Sequence, residues 1–288
     1  MTTDPYFKYS PYIPARAKSK HPLKLIVIMV RLPARGKSYL CKQMTQHLQS
    51  QGLDAKIYNV GNTRRAENTS NHQDASFFNS GNAENVKLRE KYAIDTLKEL
   101  LEWLYQDSSD KVALFDATNS TKIRRAALLN CINNFDAMYD YKDTDILLLE
   151  NIVDDDEIIE NNIILKLTLS PDYNSDLEDK TTYDLTQLRG GSISGLSPHQ
   201  QEAYNDFLQR LKNYEQAYET IETEELALLK NDKDNNNNLK MIKLYNYGGT
   251  FVRPGDVLFY NVMTTALLLQ SKKPKRLEST KDYLHTIL

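Results

Sequence analysis

The sequence has little of what marks several common protein classes. Its two cysteines, Cys41 and Cys131, lie far apart and form no C-x-x-C pair, which excludes a small disulfide-stapled scaffold and fits a reduced setting. No apolar run approaches the roughly 18 residues of a membrane span. The N-terminus has no continuous apolar segment of the kind found in secretory signals. Its five histidines are scattered, without metal-ligand spacing. We therefore expect a globular cytoplasmic protein.

The charge balance also excludes some partners. The net charge of −3 provides no general attraction to nucleic acid or to an anionic membrane, so we predict neither as a partner. Any phosphate site must come from local clusters of lysine and arginine. A chain of 288 residues is long enough to bury a large core. The proline-containing residues 1–22 and the basic end of the chain, 272–288, are predicted to be tails around one domain at 23–271.

The strongest local pattern lies at residues 24–38. Leu25 to Val30 is an unbroken apolar run, typical of a strand buried on both faces. Gly36-Lys37-Ser38 follows within a short loop, and a helical pattern then begins. This is the context of a phosphate-binding loop, in which the lysine reaches the β- and γ-phosphates and the serine holds Mg²⁺. In the pattern G-x-x-x-x-G-K-[ST], however, Arg31 stands in place of the first glycine.

Short apolar runs alternate with helical patterns along the rest of the chain, which predicts a mainly parallel α/β sheet. Further strands are expected at 55–60, 112–115, 146–149 and 241–247. Helices are expected at 37–51, 85–105, 122–135, 198–221 and 256–269, with one more opened by the acidic run 154–157. We predict loops or inserts at 66–83, where Phe77-Phe78 is an anchor, at 174–197 and at the asparagine-rich 231–238.

Arginines cluster beyond the predicted strands. Arg64 and Arg65 follow the second strand, Arg89 lies on the next helix, and Arg124 and Arg125 begin the helix after the third strand. In a doubly wound sheet the turns at the carboxyl ends of the strands open onto one crevice. Several guanidiniums there indicate a phosphorylated second substrate, although any single arginine has a surface ion pair as its simpler interpretation.

An acidic residue, Asp116, ends the third predicted strand in the segment Phe115-Asp116-Ala117-Thr118-Asn119. A carboxylate at a buried strand end can hold Mg²⁺ or contact an acceptor hydroxyl in phosphoryl transfer. The alternative interpretation is a helix N-cap, for which aspartate is well suited.

Together these segments resemble the kinase domain of the 6-phosphofructo-2-kinase/fructose-2,6-bisphosphatase family, over roughly residues 23–270. The similarity lies in Leu32–Ser38, Asn59–Arg65, Leu88-Arg89, Phe115–Arg125, Glu150–Ile159, Lys166 with Ser170–Tyr173, and Phe207–Tyr214. Arg31, Thr63 and Val153 depart from the family's motifs. No Arg-His-Gly motif of a phosphatase half is present, so the resemblance implies kinase activity alone.

The resemblance implies a P-loop NTPase-like three-layer α/β/α fold and the ATP- and Mg²⁺-dependent phosphorylation of fructose 6-phosphate at its 2-hydroxyl. It leaves a homodimer open. By position, the implied catalytic residues are Lys37, Asp116 and Lys166, and the implied Mg²⁺ ligands are Ser38 and Asp116. The implied ATP-binding residues are Leu32, Pro33, Ala34, Arg35, Gly36, Lys37, Ser38, Asn162 and Lys166. The implied fructose 6-phosphate-binding residues are Arg64, Arg65, Arg89, Thr118, Arg124, Arg210 and Tyr214.

Arg31 leaves the activity open at this stage. If the loop needs a positive φ or free space at this position, a non-glycine residue costs about 1–3 kcal/mol, and we expect weaker ATP binding. The contrary interpretation is that Arg31 turns to solvent or adds a cation to the phosphates. A pseudoenzyme that binds sugar phosphate or a protein partner is therefore the alternative function. Another small-molecule kinase is a third, against which the arginine set argues.

Overall fold

A computed structural model describes residues 22, 24–67, 74–139, 144–173, 198–231, 238–245 and 248–250. Six strands form one sheet in the order β2-β3-β1-β4-β5-β6, and every pair is parallel except β5 with β6. The strands are β1 Lys24–Val30, β2 Asp54–Asn59, β3 Lys111–Asp116, β4 Thr144–Ile152, β5 Asn238–Tyr245 and β6 Gly248–Thr250. The predicted mainly parallel α/β sheet is confirmed.

Helices cover both faces of this sheet. They are α1 Lys37–Ser50, α2 Val60–Glu67, α3 Ala83–Leu104, α4 Lys122–Tyr139, α5 Asp156–Leu169, α6 Pro198–Gln216 and α7 Thr223–Asn231, with a 3₁₀ turn at Ala75–Phe78 between α2 and α3. In the described part of the chain, none of the helices has the length and apolarity needed to cross a bilayer.

The alternation of side chains along β1 explains the three layers. Ile26, Ile28 and Val30 pack with α3, α4 and α7 on one face, while Val27 and Met29 pack with α1 on the other. Every residue of β1 and β3 is buried because both strands lie inside the sheet with helices on each side. This burial fixes the carboxyl ends of the two strands, from which the phosphate-binding loop and the Asp116 segment emerge.

Several predicted boundaries are wrong. The polar segment after β2 is helical over Val60–Glu67, and the predicted loop at 66–83 contains the 3₁₀ turn, in which Phe77 and Phe78 are buried as expected of an anchor. The helix predicted for 198–221 ends at Gln216, and the short helix α7 follows it. The predicted tails, the insert at 174–197, most of the asparagine-rich loop and the helix at 256–269 lie outside the described residues.

Candidate active site

The phosphate-binding loop owes its shape to two residues with left-handed backbone. Ala34 has φ 55° and Gly36 has φ 73°, and Gly36 immediately precedes the first residue of α1. Glycine adopts this conformation without the steric cost of a Cβ atom. The turn directs Gly36, Lys37 and Ser38 into a cavity at the N-terminus of α1, where main-chain N–H groups and the helix dipole favour a bound anion.

Two hydrogen bonds tie this loop to the segment that follows β3. The Arg31 N–H donates to the Thr118 carbonyl at 2.9 Å, and the Asn119 side-chain amide donates to the Met29 carbonyl at 2.7 Å. Asn119 itself has φ 46°, a conformation that asparagine tolerates better than most residues. The two loops are therefore held in a fixed relation at the carboxyl ends of β1 and β3.

Lys37 and Asp116 meet across these loops. Lys37 Nζ lies 3.3 Å from Asp116 Oδ1, and Asp116 Oδ2 accepts a hydrogen bond from Asn59. The Asp116 side chain is only 1% exposed, whereas Ser38 is exposed, and both residues line the cavity. A carboxylate and a hydroxyl suit Mg²⁺, which takes its remaining ligands from phosphates and water. The described residues contain no group of three or more His, Cys, Asp or Glu that would hold a metal alone.

Arg31 occupies neither of the positions expected from the sequence. It is fully buried and does not line the cavity. It is also not among the described non-glycine residues with positive φ, so the expected backbone strain is absent. Burial raises the pKa values of the Tyr218 phenol and the Cys41 thiol, and the nearby Arg31 charge acts against both rises. The side-chain nitrogens of Arg31 are themselves buried, so the side chain lies inside the protein.

One cavity of about 1100 Å³ gathers most of the predicted site residues. The lining residues that we call the loop end are Pro33, Ala34, Gly36, Lys37, Ser38, Asn162 and Lys166. Those that we call the arginine end are Arg64, Arg65, Arg89, Thr118, Arg124, Arg210 and Tyr214, and Asp116 also lines the cavity. Leu32 and Arg35 do not line it. Arg35 is buried, with Nη2 3.5 Å from Glu215 Oε1.

Three of the arginines converge on one carboxylate. Arg64 Nη2 donates to Asp172 Oδ1 at 2.6 Å and to Oδ2 at 2.7 Å, Arg65 Nη1 donates to Oδ1 at 3.2 Å, and Arg210 Nη1 donates to Oδ2 at 3.1 Å. Burial opposes ionisation, but the arginines hold the pKa of Asp172 well below its usual range. Asp172 does not line the cavity, so it supports the arginines from behind.

The other arginines have separate partners. Arg89 Nη1 donates to the Phe78 carbonyl at 3.1 Å, and Arg124 Nη2 donates to Glu90 Oε1 at 2.7 Å. Arg125 is fully buried and pairs with Glu225 at 2.6 and 2.7 Å, away from the cavity. For Arg125 the simpler interpretation, an ion pair, therefore describes the structure.

Two titratable groups respond to this concentration of positive charge. Burial, reinforced by Arg210 and Lys37, lowers the pKa of the Lys166 ammonium to about 7. Burial would raise the pKa of Tyr214, but Arg210, Arg89 and Lys37, together with a hydrogen bond to Thr118, lower it. Both shifts have the sign expected of groups surrounded by cations, which favour a neighbouring negative charge.

Sequence reasoning missed two contributors to this end of the cavity. Asp172 lies in the matched segment Ser170–Tyr173, but nothing in one sequence reveals that three distant arginines meet there. The sequence predicts Phe78 only as an anchor, yet its ring centroid lies 3.7 Å from Arg210 Cζ. The available signal in the sequence was position alone: Asp172 lies in a segment that matches the family, and Phe78 lies in the pair Phe77-Phe78.

Comparison with known proteins agrees with the resemblance. A family profile described as 6-phosphofructo-2-kinase matches residues 14–188. A probable 6-phosphofructo-2-kinase of Schizosaccharomyces pombe is 36% identical over 78% of this chain and 28% of its own length. A fructose-2,6-bisphosphatase of Saccharomyces cerevisiae is 35% identical over 78% of this chain and 41% of its own. The chain thus spans less than half the length of these relatives.

Among solved structures, a fungal RNA kinase aligns over 91% of both chains with 16% identity and a TM-score of 0.43. This likeness is too distant to inform the function.

Proposed function

Because the chain belongs to the 6-phosphofructo-2-kinase family, we propose that it transfers the γ-phosphoryl group of ATP to the 2-hydroxyl of fructose 6-phosphate. The product is fructose 2,6-bisphosphate. The proposed catalytic unit is residues 23–271, and kinase activity alone is proposed for these 288 residues because they contain no Arg-His-Gly motif.

One observation carries the proposal: a single cavity is lined by both a phosphate-binding loop and an arginine cluster. Arg64, Arg65 and Arg210 all pair with the Asp172 carboxylate, so three guanidinium groups meet one carboxylate and the cluster has an excess of positive charge. A phosphate monoester carries about −1.5 to −2 at neutral pH, so it matches this excess. A cavity with two separate anion sites suits a nucleotide and a phosphorylated acceptor.

In this mechanism the loop N–H groups and Lys37 hold the β- and γ-phosphates. Lys37 gives up its 3.3 Å contact with Asp116 when the phosphates arrive. Mg²⁺, when bound by Ser38 and Asp116, neutralises charge that develops on the phosphates. The arginines and Tyr214 fix the 6-phosphate, so that the 2-hydroxyl points to the nucleotide. Such a reaction relies on positioning and charge neutralisation more than on a strong base.

Lys166 interacts electrostatically with both Lys37 and Arg210, and it is the proposed cation that contacts the transferred phosphoryl group. Its pKa of about 7 reflects burial beside other cations. The negative charge of a bound nucleotide reverses that balance and favours the protonated ammonium. Its proton is therefore taken up when ATP binds.

The second candidate is a pseudoenzyme that binds sugar phosphate without transfer. It is favoured by the yeast relative, whose name gives only a bisphosphatase although it is 35% identical to 78% of this chain. Similarity over this region is thus compatible with a protein named for another activity.

Product formation distinguishes the two. Purified protein is incubated with ATP, Mg²⁺ and fructose 6-phosphate, and fructose 2,6-bisphosphate is measured beside an Asp116→Asn control. The proposal predicts product that depends on all three components and is lost in the control. Binding of fructose 6-phosphate without any product would select the pseudoenzyme.

A further inference from the structure

The aromatic ring of Phe78 lies beneath the arginine cluster. The ring centroid is 3.7 Å from Arg210 Cζ and 5.4 Å from Arg64 Cζ, and 5.6 Å from the ring of Tyr214. The carbonyl of the same residue accepts the hydrogen bond from Arg89 at 3.1 Å. One buried residue therefore touches four of the groups proposed to hold the sugar phosphate.

The 3₁₀ turn that carries Phe78 is itself fixed to α6. The Ala75 N–H donates to Asp206 Oδ1 at 2.6 Å, and Asn213 Nδ2 donates to the Ala75 carbonyl at 2.9 Å. Asp206, Arg210 and Asn213 follow one another at helical spacing, so they share one face of α6. Asp206 and Asn213 lie on either side of Arg210 along α6, so their hydrogen bonds to Ala75 hold the 3₁₀ turn against the guanidinium of Arg210.

An aromatic ring can stabilise the arginine cluster without cancelling its charge, whereas a second carboxylate would neutralise part of it. Three guanidiniums close together repel one another, and Asp172 cancels only one of their charges. The negative face of a ring stabilises a desolvated cation but leaves its full charge in place. The cluster can then stay assembled and still present a net positive charge to an incoming anion.

We infer that Phe78 is a positioning residue of the sugar-phosphate end, which holds Arg210 and Arg64 in place for a phosphate group. The inference rests on the proposed function for the identity of the sugar, but not for the anion. It assigns to the turn Ala75–Phe78 a part in substrate affinity, beyond that of a packing anchor.

The test compares Phe78→Leu, which removes the ring and keeps an apolar side chain, with Phe78→Tyr, which keeps the ring. Phe135→Leu is the matched control, because this partly buried ring stacks on Tyr105 at 5.7 Å and does not line the cavity. Binding of fructose 6-phosphate, inorganic phosphate and a non-hydrolysable ATP analogue is measured by calorimetry, and thermal unfolding is recorded for each variant.

Loss of a desolvated cation–π contact predicts about tenfold weaker binding of both phosphate ligands to Phe78→Leu. Affinity for the ATP analogue should stay within about twofold, and Phe78→Tyr should recover most of the loss. Phe135→Leu should lower the unfolding temperature without changing any affinity.

Equal phosphate affinities in wild type and Phe78→Leu would overturn the inference and leave the proposed function standing. If wild type binds inorganic phosphate but not fructose 6-phosphate, and Phe78→Leu weakens the former, the inference holds and the proposed substrate fails. If wild type binds neither, both fail. Equal weakening of all three ligands would reduce Phe78 to a general packing role and contradict the inference.

Discussion

The two ends of the cavity are built in different ways. The loop end is made from consecutive residues, and its shape comes from the backbone at Ala34 and Gly36. The arginine end is assembled from α2, the 3₁₀ turn, α3, α4 and α6, and depends on side-chain charges that need compensation. Because the loop takes its shape from the backbone at Ala34 and Gly36, it tolerates a change at a neighbouring position such as Arg31. A cluster of like charges depends on each supporting group, so we expect substitutions there to act through stability as well as affinity.

Lys37→Met should have the largest effect, because Lys37 is the one cationic residue of the loop that lines the cavity. We expect the rate of product formation to fall by about 10²–10³-fold, while fructose 6-phosphate binding changes little. Steady-state kinetics and calorimetry measure the two quantities. Lys98→Met, on the exposed side of α3, is the control and should behave as wild type. Activity of Lys37→Met within threefold of wild type would contradict the assigned role.

Asp172→Ala removes the carboxylate that Arg64, Arg65 and Arg210 share at the arginine end. Three guanidiniums lose their shared counter-charge, and removal of one member of a buried ion pair costs about 3–5 kcal/mol in the free energy of unfolding. Urea denaturation measures the loss, and added inorganic phosphate should stabilise this variant more than wild type.

Glu90→Ala is the matched control for Asp172→Ala. Its carboxylate is 39% exposed and pairs with Arg124, so we expect a loss of only about 1 kcal/mol or less. Equal losses of unfolding free energy in the two variants would show that the shared carboxylate contributes no more to stability than an exposed one.

Arg31→Gly sharpens the comparison at the loop end. Because the side chain is fully buried and the backbone is unstrained, its removal should lower the unfolding free energy by about 2 kcal/mol or more. ATP affinity should change by less than about threefold, because Arg31 does not line the cavity. Arg31→Met, which fills much of the volume, separates lost packing from lost charge. ATP binding that tightens tenfold in Arg31→Gly would restore the impairment hypothesis.

Lys166 offers the smallest effect and the one most specific to charge. At pH 8 the ligand-free ammonium, with a pKa of about 7, is mostly neutral. Bound phosphates raise this pKa, so ATP binding should take up nearly one proton, and affinity should fall as the pH rises from about 7 to 9. Calorimetry at pH 8 in buffers of different ionisation enthalpy measures the uptake. Lys166→Met should abolish it, and persistent uptake in that variant would assign the proton elsewhere.

The same difference explains what one sequence could predict. The apolar run of β1, the Gly-Lys-Ser turn and Asp116 at the end of β3 are local patterns, so the parallel sheet and the place of the loop were predictable. One sequence does not predict the helix Val60–Glu67 because it is short, contains glycine and paired arginines, and has only Val60 and Ala66 as apolar residues apart from that glycine.

Long-range contacts could not be predicted from the residues alone. Asp172 is 108 residues from Arg64 and 38 from Arg210, and no local pattern joins them. The burial of Arg31 depends on helices and strands that meet only in the fold, since a charged residue at the end of a strand is usually exposed.

The most direct test of the account is whether both ends of the cavity are filled together. Calorimetric titration of fructose 6-phosphate is performed with and without a saturating non-hydrolysable ATP analogue and Mg²⁺. We expect one molecule of each ligand to bind per chain, with fructose 6-phosphate affinity unchanged or improved by the nucleotide. Displacement of one ligand by the other would contradict two separate subsites, and absence of sugar-phosphate binding in both titrations would contradict the assigned substrate.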